Sequence, residues 1–195
     1  MTKHSERTQQ TKADFQEAFW RLYSTTPMEK ITVAQVCQLA GYNRATFYLH
    51  FSDIYDLLQT IEDSLLEGMA EVAEENLRRL GTDNSKPALV SALKNVIVYY
   101  EKHKRYILVL LGPQGDPRFT MRLKDAYKPL WRRYIIKDTG SHSEQEIDLM
   151  LEFVLSGTLS MIASWIQDPG DISLVEMGKL VYDVAIRQVA ALAAS

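Results

Sequence analysis

Between Thr32 and His50 the chain carries a guanidinium (Arg44), two hydroxyls (Thr32 and Thr46), a carboxamide (Asn43), a phenol (Tyr48) and an imidazole (His50). Such a set suits recognition of phosphates and base edges. A guanidinium bonds a guanine through two parallel hydrogen bonds, which discriminates by about 1–3 kcal/mol. Hydroxyl and imidazole donors hold phosphates in register without reading sequence. A hydroxyl and a backbone N–H at a helix N-terminus suit a phosphate as well.

These groups act together only if neighbouring residues aim them, and the intervening residues specify how. Thr32 can cap a helix whose apolar stripe is Val33, Val36, Cys37 and Ala40, spaced i, i+3, i+4, i+7. Gly41 follows, where a left-handed residue ends the helix without strain. Asn43 then caps a second helix with Phe47 and Phe51 on its inner face, leaving Arg44, Thr46, Tyr48 and His50 to point elsewhere. Two short helices joined by a glycine turn make a helix-turn-helix. The candidate DNA-binding set is therefore Thr32, Asn43, Arg44, Ala45, Thr46, Tyr48 and His50. Blander roles stand beside these: Thr32 as a cap, Tyr48 partly in the core, His50 closing a helix end.

Residues 31–51, Ile-Thr-Val-Ala-Gln-Val-Cys-Gln-Leu-Ala-Gly-Tyr-Asn-Arg-Ala-Thr-Phe-Tyr-Leu-His-Phe, follow an N-terminal helix and precede Ser52-Asp53 opening a long one. This order resembles the TetR family of bacterial transcriptional regulators over residues 8–65. The segment from Tyr100 to Phe119, with Gly112-Pro113 and Gly115-Asp116-Pro117, is weakly similar to the DhaS-type subgroup. The resemblance implies phosphate contacts by Thr46, Tyr48 and His50. It also implies repression relieved by a ligand, with a DhaS-like coactivator acting through a protein partner as the alternative. One position departs: where the family has a lysine early in the long helix, this chain has Ile54, beside Asp53.

Composition agrees in kind. The net charge is −3, yet residues 1–50 hold six Lys or Arg against four Asp or Glu, so the head is mildly basic and the remainder acidic. The lone cysteine, Cys37, forms no internal disulfide, which fits a reducing cytoplasm. No signal-like segment opens the chain, and the apolar run from Phe153 to Ile166 is short for a bilayer span, so no membrane partner is expected. Enzymatic patterns are missing. His4, His50, His103 and His142 are scattered, Glu74-Glu75 cannot converge on one substrate, and no nucleophile elbow, phosphate loop or zinc pattern occurs. No cofactor or metal is expected.

Apolar periodicity predicts an all-α fold of about nine helices: 8–24, the two motif helices, 53–80, 87–103, a short one ending near Gly112, 118–137, 144–167 and 173–194. Residues 1–7 read as disordered, 138–143 as a loop, and Pro129 as a kink. The division expected is a DNA-binding helix-turn-helix domain at 1–52 and an effector-binding and dimerisation domain at 53–195, with helix 53–80 as connector. Tyr100, Tyr127, Trp131, Met161 and Trp165 are candidates for a small-molecule pocket, against the reading that they are ordinary core. The basic helix from Arg118 to Lys137 reads as a solvated face. Ser156, Gly157, Ser160 and Ser164 form a small-residue stripe, a candidate homodimer seam that could also serve packing within the chain. A dimer suits double-stranded operator DNA, where two half-sites lie about one helical turn apart.

Overall fold

Capping chemistry sets most helix boundaries in the computed structural model, which describes residues 3–83, 85–113, 115–136 and 142–187. Among these residues there are eight α-helices, one 3₁₀ turn and a π-helical segment, and no strand. The elements are α1 (Lys3–Tyr23), a 3₁₀ turn (Met28–Lys30), α2 (Val33–Ala40), α3 (Arg44–Tyr48), α4 (Ile54–Leu80), α5 (Lys86–Leu110), α6 (Pro117–Tyr134), α7 (Glu144–Gln167), α8 (Leu174–Val181) and the π-helical Tyr182–Arg187.

Several boundaries differ from the expectation. Helix α1 begins at Lys3, so its first turn covers residues expected to be disordered. Asp53 rather than Ser52 caps α4: its Oδ1 accepts from Asp56 N–H at 2.8 Å, while Asp56 Oδ2 accepts from Ser52 N–H at 2.7 Å. Expected helices at 87–103 and near 104–111 are one continuous α5, because the polar run Glu101 to Arg105 is mostly exposed helical surface rather than a break. Helix α6 passes through Pro129 and ends at Tyr134. Lys137, most of the loop at 138–143, and the last helix beyond Arg187 lie outside the described residues.

The chain packs as two compact units, residues 1–65 and 66–195, and the division falls within α4. In the first unit Phe15 is fully buried and organises an aromatic cluster. Its ring meets Phe47 edge-on at 5.3 Å, Phe51 edge-on at 6.2 Å and Tyr42 at 5.1 Å. Offset and edge-to-face pairs of this kind add about 0.5–1.5 kcal/mol beyond burial. Ala18, Phe19, Trp20 and Tyr23 complete the buried side of α1, and Val36 and Cys37 that of α2. Ile54, Leu57, Leu58 and Ile61 line the buried face of α4.

In the second unit Ile147, Leu151 and Leu155 of α7 pack with Trp131, Ile135 and Ile136 from α6 and its end, and with Leu77 of α4. Along this contact, Lys124, Lys128 and Arg132 recur every four residues on α6 and pair with acids on α7. Lys124 and Lys128 both meet Glu152, the latter at 2.6 Å, and Arg132 meets Glu144 at 2.6 Å and Asp148 at 2.7 Å. Lys124, Lys128 and Arg132 thus form a ladder of interhelical ion pairs, which corrects their reading as part of a solvated face, whereas Arg118 and Arg133 are 71% and 70% exposed. Between α4 and α5 the buried Asn76 donates to Ala92 O and accepts from Asn95 Nδ2, both at 3.1 Å. By length and composition α7 could cross a membrane. One side of it, Ile147, Leu151, Leu155 and Leu159, is buried core.

Candidate nucleic-acid interface and ligand cavity

Reciprocal hydrogen bonds build the N-terminus of α2. Thr32 Oγ1 accepts from Gln35 N–H at 3.3 Å, and Gln35 Oε1 accepts from Thr32 N–H at 2.9 Å and Thr32 Oγ1 at 2.8 Å. This capping box is worth about 0.5–2 kcal/mol. Both Thr32 donors therefore face Gln35, and a phosphate contact by Thr32 requires the glutamine to turn aside. Gly41 ends α2 at φ 78°, its N–H donating to Cys37 O at 3.0 Å. A residue with a Cβ is strained in that left-handed region.

Asn43 then caps α3, its Oδ1 accepting from Thr46 N–H at 2.8 Å and Thr46 Oγ1 at 3.0 Å. Phe47 points inward and is fully buried. That single orientation turns Asn43, Arg44, Ala45 and Tyr48 to the exposed side, with Tyr48 58% exposed. Thr46 is half-buried, its hydroxyl turned to Asn43. His50 is half-buried, with its ring 6.4 Å from Phe15. The exposed guanidinium and phenol thus stand one helical turn apart on a helix of five residues.

Two features of this region escaped the sequence reading. Tyr42 Oη donates to Asp14 Oδ2 at 2.8 Å and ties the turn to α1. Leu49 is 80% exposed just after α3. Ile54 is only 7% exposed, so the position where the family carries its lysine belongs here to an apolar face. Burial pushes the Cys37 thiol above its usual value, with the charge of Arg44 acting in the opposite direction.

The second unit holds a cavity of about 270 Å³ walled by α4 to α8. Tyr100, Tyr127, Trp131 and Trp165 line it, as the sequence reading expected. Met161 does not: it follows Ser160 on α7 one residue before the lining Ile162, about 100° around the helix from it. The α5 residues Leu89, Leu93, Val96 and Ile97 also line it. Their spacing was legible as a stripe, but a stripe facing a cavity and one facing solid core have the same period. Burial raises the phenols of Tyr99, Tyr100 and Tyr127 above their usual value, the last most strongly.

On the other side of α7, Leu149 and Phe153 are 65% and 80% exposed, and Gly157, Ser160 and Ser164 are exposed beside them. Ser156 is separate from this stripe. Its hydroxyl accepts from Lys124 Nζ at 3.1 Å and donates to Glu152 Oε1 at 3.1 Å, which places it on the α6 side.

Comparison with known proteins accords with this geometry. Residues 17–61 match the family described as bacterial regulatory proteins, tetR family, and residues 89–187 match a transcriptional regulator C-terminal region of the same class. The chain is 33% identical over 81 residues to a probable HTH-type transcriptional regulator, ArpR, of Pseudomonas putida. That similarity spans 39% of this chain and 39% of the relative. A TetR transcriptional regulator from Streptococcus agalactiae 2603V superimposes with a TM-score of 0.65 at 23% identity, over 94% of this chain and 98% of that one. The dihydroxyacetone kinase operon activator DhaS superimposes with a TM-score of 0.59 at 17% identity, over 93% and 97%. At these identities the two structures establish a shared fold and no subgroup. With one family match over the helix-turn-helix and another over about half of the chain, this protein belongs to the TetR family of bacterial transcriptional regulators.

Proposed function

We propose that this chain is a homodimeric DNA-binding repressor, released from its operator when a small molecule fills the cavity between α4 and α8. The observation that carries the reading is the capped α2–turn–α3 unit, which presents Arg44 and Tyr48 to solvent on a helix anchored by Phe47. Arg44 would read a base edge, and Asn43, Ala45, Thr46, Tyr48 and His50, with Thr32, would lie against the phosphate backbone. Helix α4 is continuous from the first unit into the cavity wall, so a tilt of its cavity end would displace the recognition helix along the groove. The ligand acts as a switch only if it prefers one position of α4 over the other.

Dimerisation would use exposed residues of α7 and of the elements after it: Phe153, Gly157, Ser160 and Ser164 on α7, and Val175, Leu180 and Val184 beyond it, are all solvent-exposed. Small residues let a partner helix approach closely. A protein that acts on chromosomal DNA would work in the cytoplasm, which suits the single cysteine.

A gel shift with the intergenic DNA upstream of the protein's own gene tests the proposal. A retarded complex that survives unrelated competitor DNA is expected; no complex at micromolar protein in low salt would remove the reading. A second reading, a coactivator-like module acting through a protein partner, is favoured by the burial of Ile54 and by the net charge of −3. It predicts no retardation in that experiment.

A further inference from the structure

Among the described residues, the cavity wall contains no Asp, Glu, Lys, Arg or His side chain. Its polar groups are few, and several are already engaged. Asn76 is bonded to Ala92 and Asn95, Trp165 Nε1 donates to Ile172 O at 2.8 Å, and Tyr127 Oη donates to Met69 O at 3.4 Å. Trp165 and Tyr100 face each other at 6.2 Å, and Trp131 adds a second indole, so the wall offers ring faces and edges. A charged ligand entering here would shed its hydration and meet no counter-charge, a heavy penalty. An apolar one would exchange water for aliphatic and aromatic contact.

From this wall we infer the chemical class of the ligand: an uncharged, predominantly apolar molecule, planar or compact, with no carboxylate, phosphate or ammonium group. The inference rests on reading the cavity as the effector site. Its size follows from the volume: a dry cavity of about 150 Å³ takes benzene, so 270 Å³ takes roughly eleven non-hydrogen atoms. That is a fused pair of rings or an aliphatic chain of similar bulk. Gly178 shapes one wall, since a Cβ there would lie 2.5 Å from Leu93 Cδ2.

Equilibrium dialysis of the full chain against three probes tests this: 2-methylnaphthalene, 2-naphthoate and 2-naphthylmethylammonium. The hydrocarbon is expected to bind, and both ions to bind at least about 30-fold more weakly, because neither finds a partner in the wall. Two variants fix the location. Thr158→Trp, which adds seven non-hydrogen atoms to a cavity sized for about eleven, should leave too little room for the hydrocarbon and abolish its binding. Ala73→Lys, which places an ammonium in the wall, should raise naphthoate affinity by about tenfold while weakening the hydrocarbon. An ion bound within about threefold of the hydrocarbon, no binding by any probe, or hydrocarbon binding unaffected by both variants would overturn the inference. The assay contains no DNA, so a hydrocarbon that binds without releasing DNA in a gel shift would remove the effector role and leave the ligand class standing.

Discussion

Replacing Ile54 by lysine restores the residue that the family carries at that position, and the burial of Ile54 favours one of the two outcomes that the sequence leaves open. Read from sequence, Ile54→Lys either adds a phosphate contact, steepening the dependence of log K on log salt by roughly 0.9 per contact, or destabilises the head if position 54 is buried on the stripe with Leu58 and Ile61. In the structure Ile54 is 7% exposed in the first turn of α4, beside Leu57 and Leu58. Removing a buried isoleucine costs about 2–5 kcal/mol, and the lysine stem recovers part of that by lying along the apolar face while its head reaches for water. A cation in the first turn of a helix adds about 0.3–1 kcal/mol of penalty. The net expectation is about 2–4 kcal/mol of destabilisation. For a chain of this length that lowers the melting temperature by about 5–15 °C, whereas Ile54→Val should lower stability by only about 0.5–1.5 kcal/mol. Circular-dichroism melts and salt-titrated gel shifts measure both quantities on the same samples. An unchanged melting temperature together with a steeper salt slope would show that position 54 faces DNA, and the burial argument would be wrong.

Other expectations are as direct. Arg44→Ala should lose about 1–3 kcal/mol of specific binding per half-site and relax preference at one base pair; equal affinity of mutant and parent for the selected operator removes Arg44 from base reading. If the proposed dimer forms through this seam, Ser160→Glu with Ser164→Glu should split it, since an unpaired carboxylate at a packed seam is costly; sedimentation reads the outcome, and a dimer unchanged by the two charges places the seam elsewhere. The Lys124 and Lys128 ammonium groups hold Glu152 at about 2, below its ordinary 4.5. Stability from this lowered carboxylate is present above about pH 4.5 and is lost as pH falls toward 2. Glu152→Gln should therefore flatten the fall in melting temperature across that window, and identical profiles would mean that the α6–α7 ladder contributes nothing measurable.

The sequence was most legible where one side chain decides a local geometry. Thr32, Gly41 and Asn43 each specify a cap or a turn, and each does so in the structure. Phe47 and Phe51 were legible from period alone, because in so small a unit the aromatic side can only face inward. Less was legible where meaning depends on a partner element. The lysines and arginines of α6 read as solvated because nothing local announces Glu144, Asp148 and Glu152 arriving at matching heights on another helix. The polar run from Glu101 to Arg105 read as a break because exposure and interruption look alike in one dimension. Ser156 read as part of a small-residue stripe, and only Lys124 reveals which way it turns.

The amide pair between α4 and α5 limits how these two helices can slide past one another. Apolar walls are tolerant of sliding, because a shift by one residue rise, about 1.5 Å, changes little in the area they bury. Asn76 and Asn95 remove that freedom. Such a shift would part Asn76 from Ala92 O and from Asn95 together, stranding buried polar groups at about 1–3 kcal/mol each. The two bonds therefore oppose axial creep of α4 past α5 within two helical turns of Met69, Val72 and Ala73, which line the cavity.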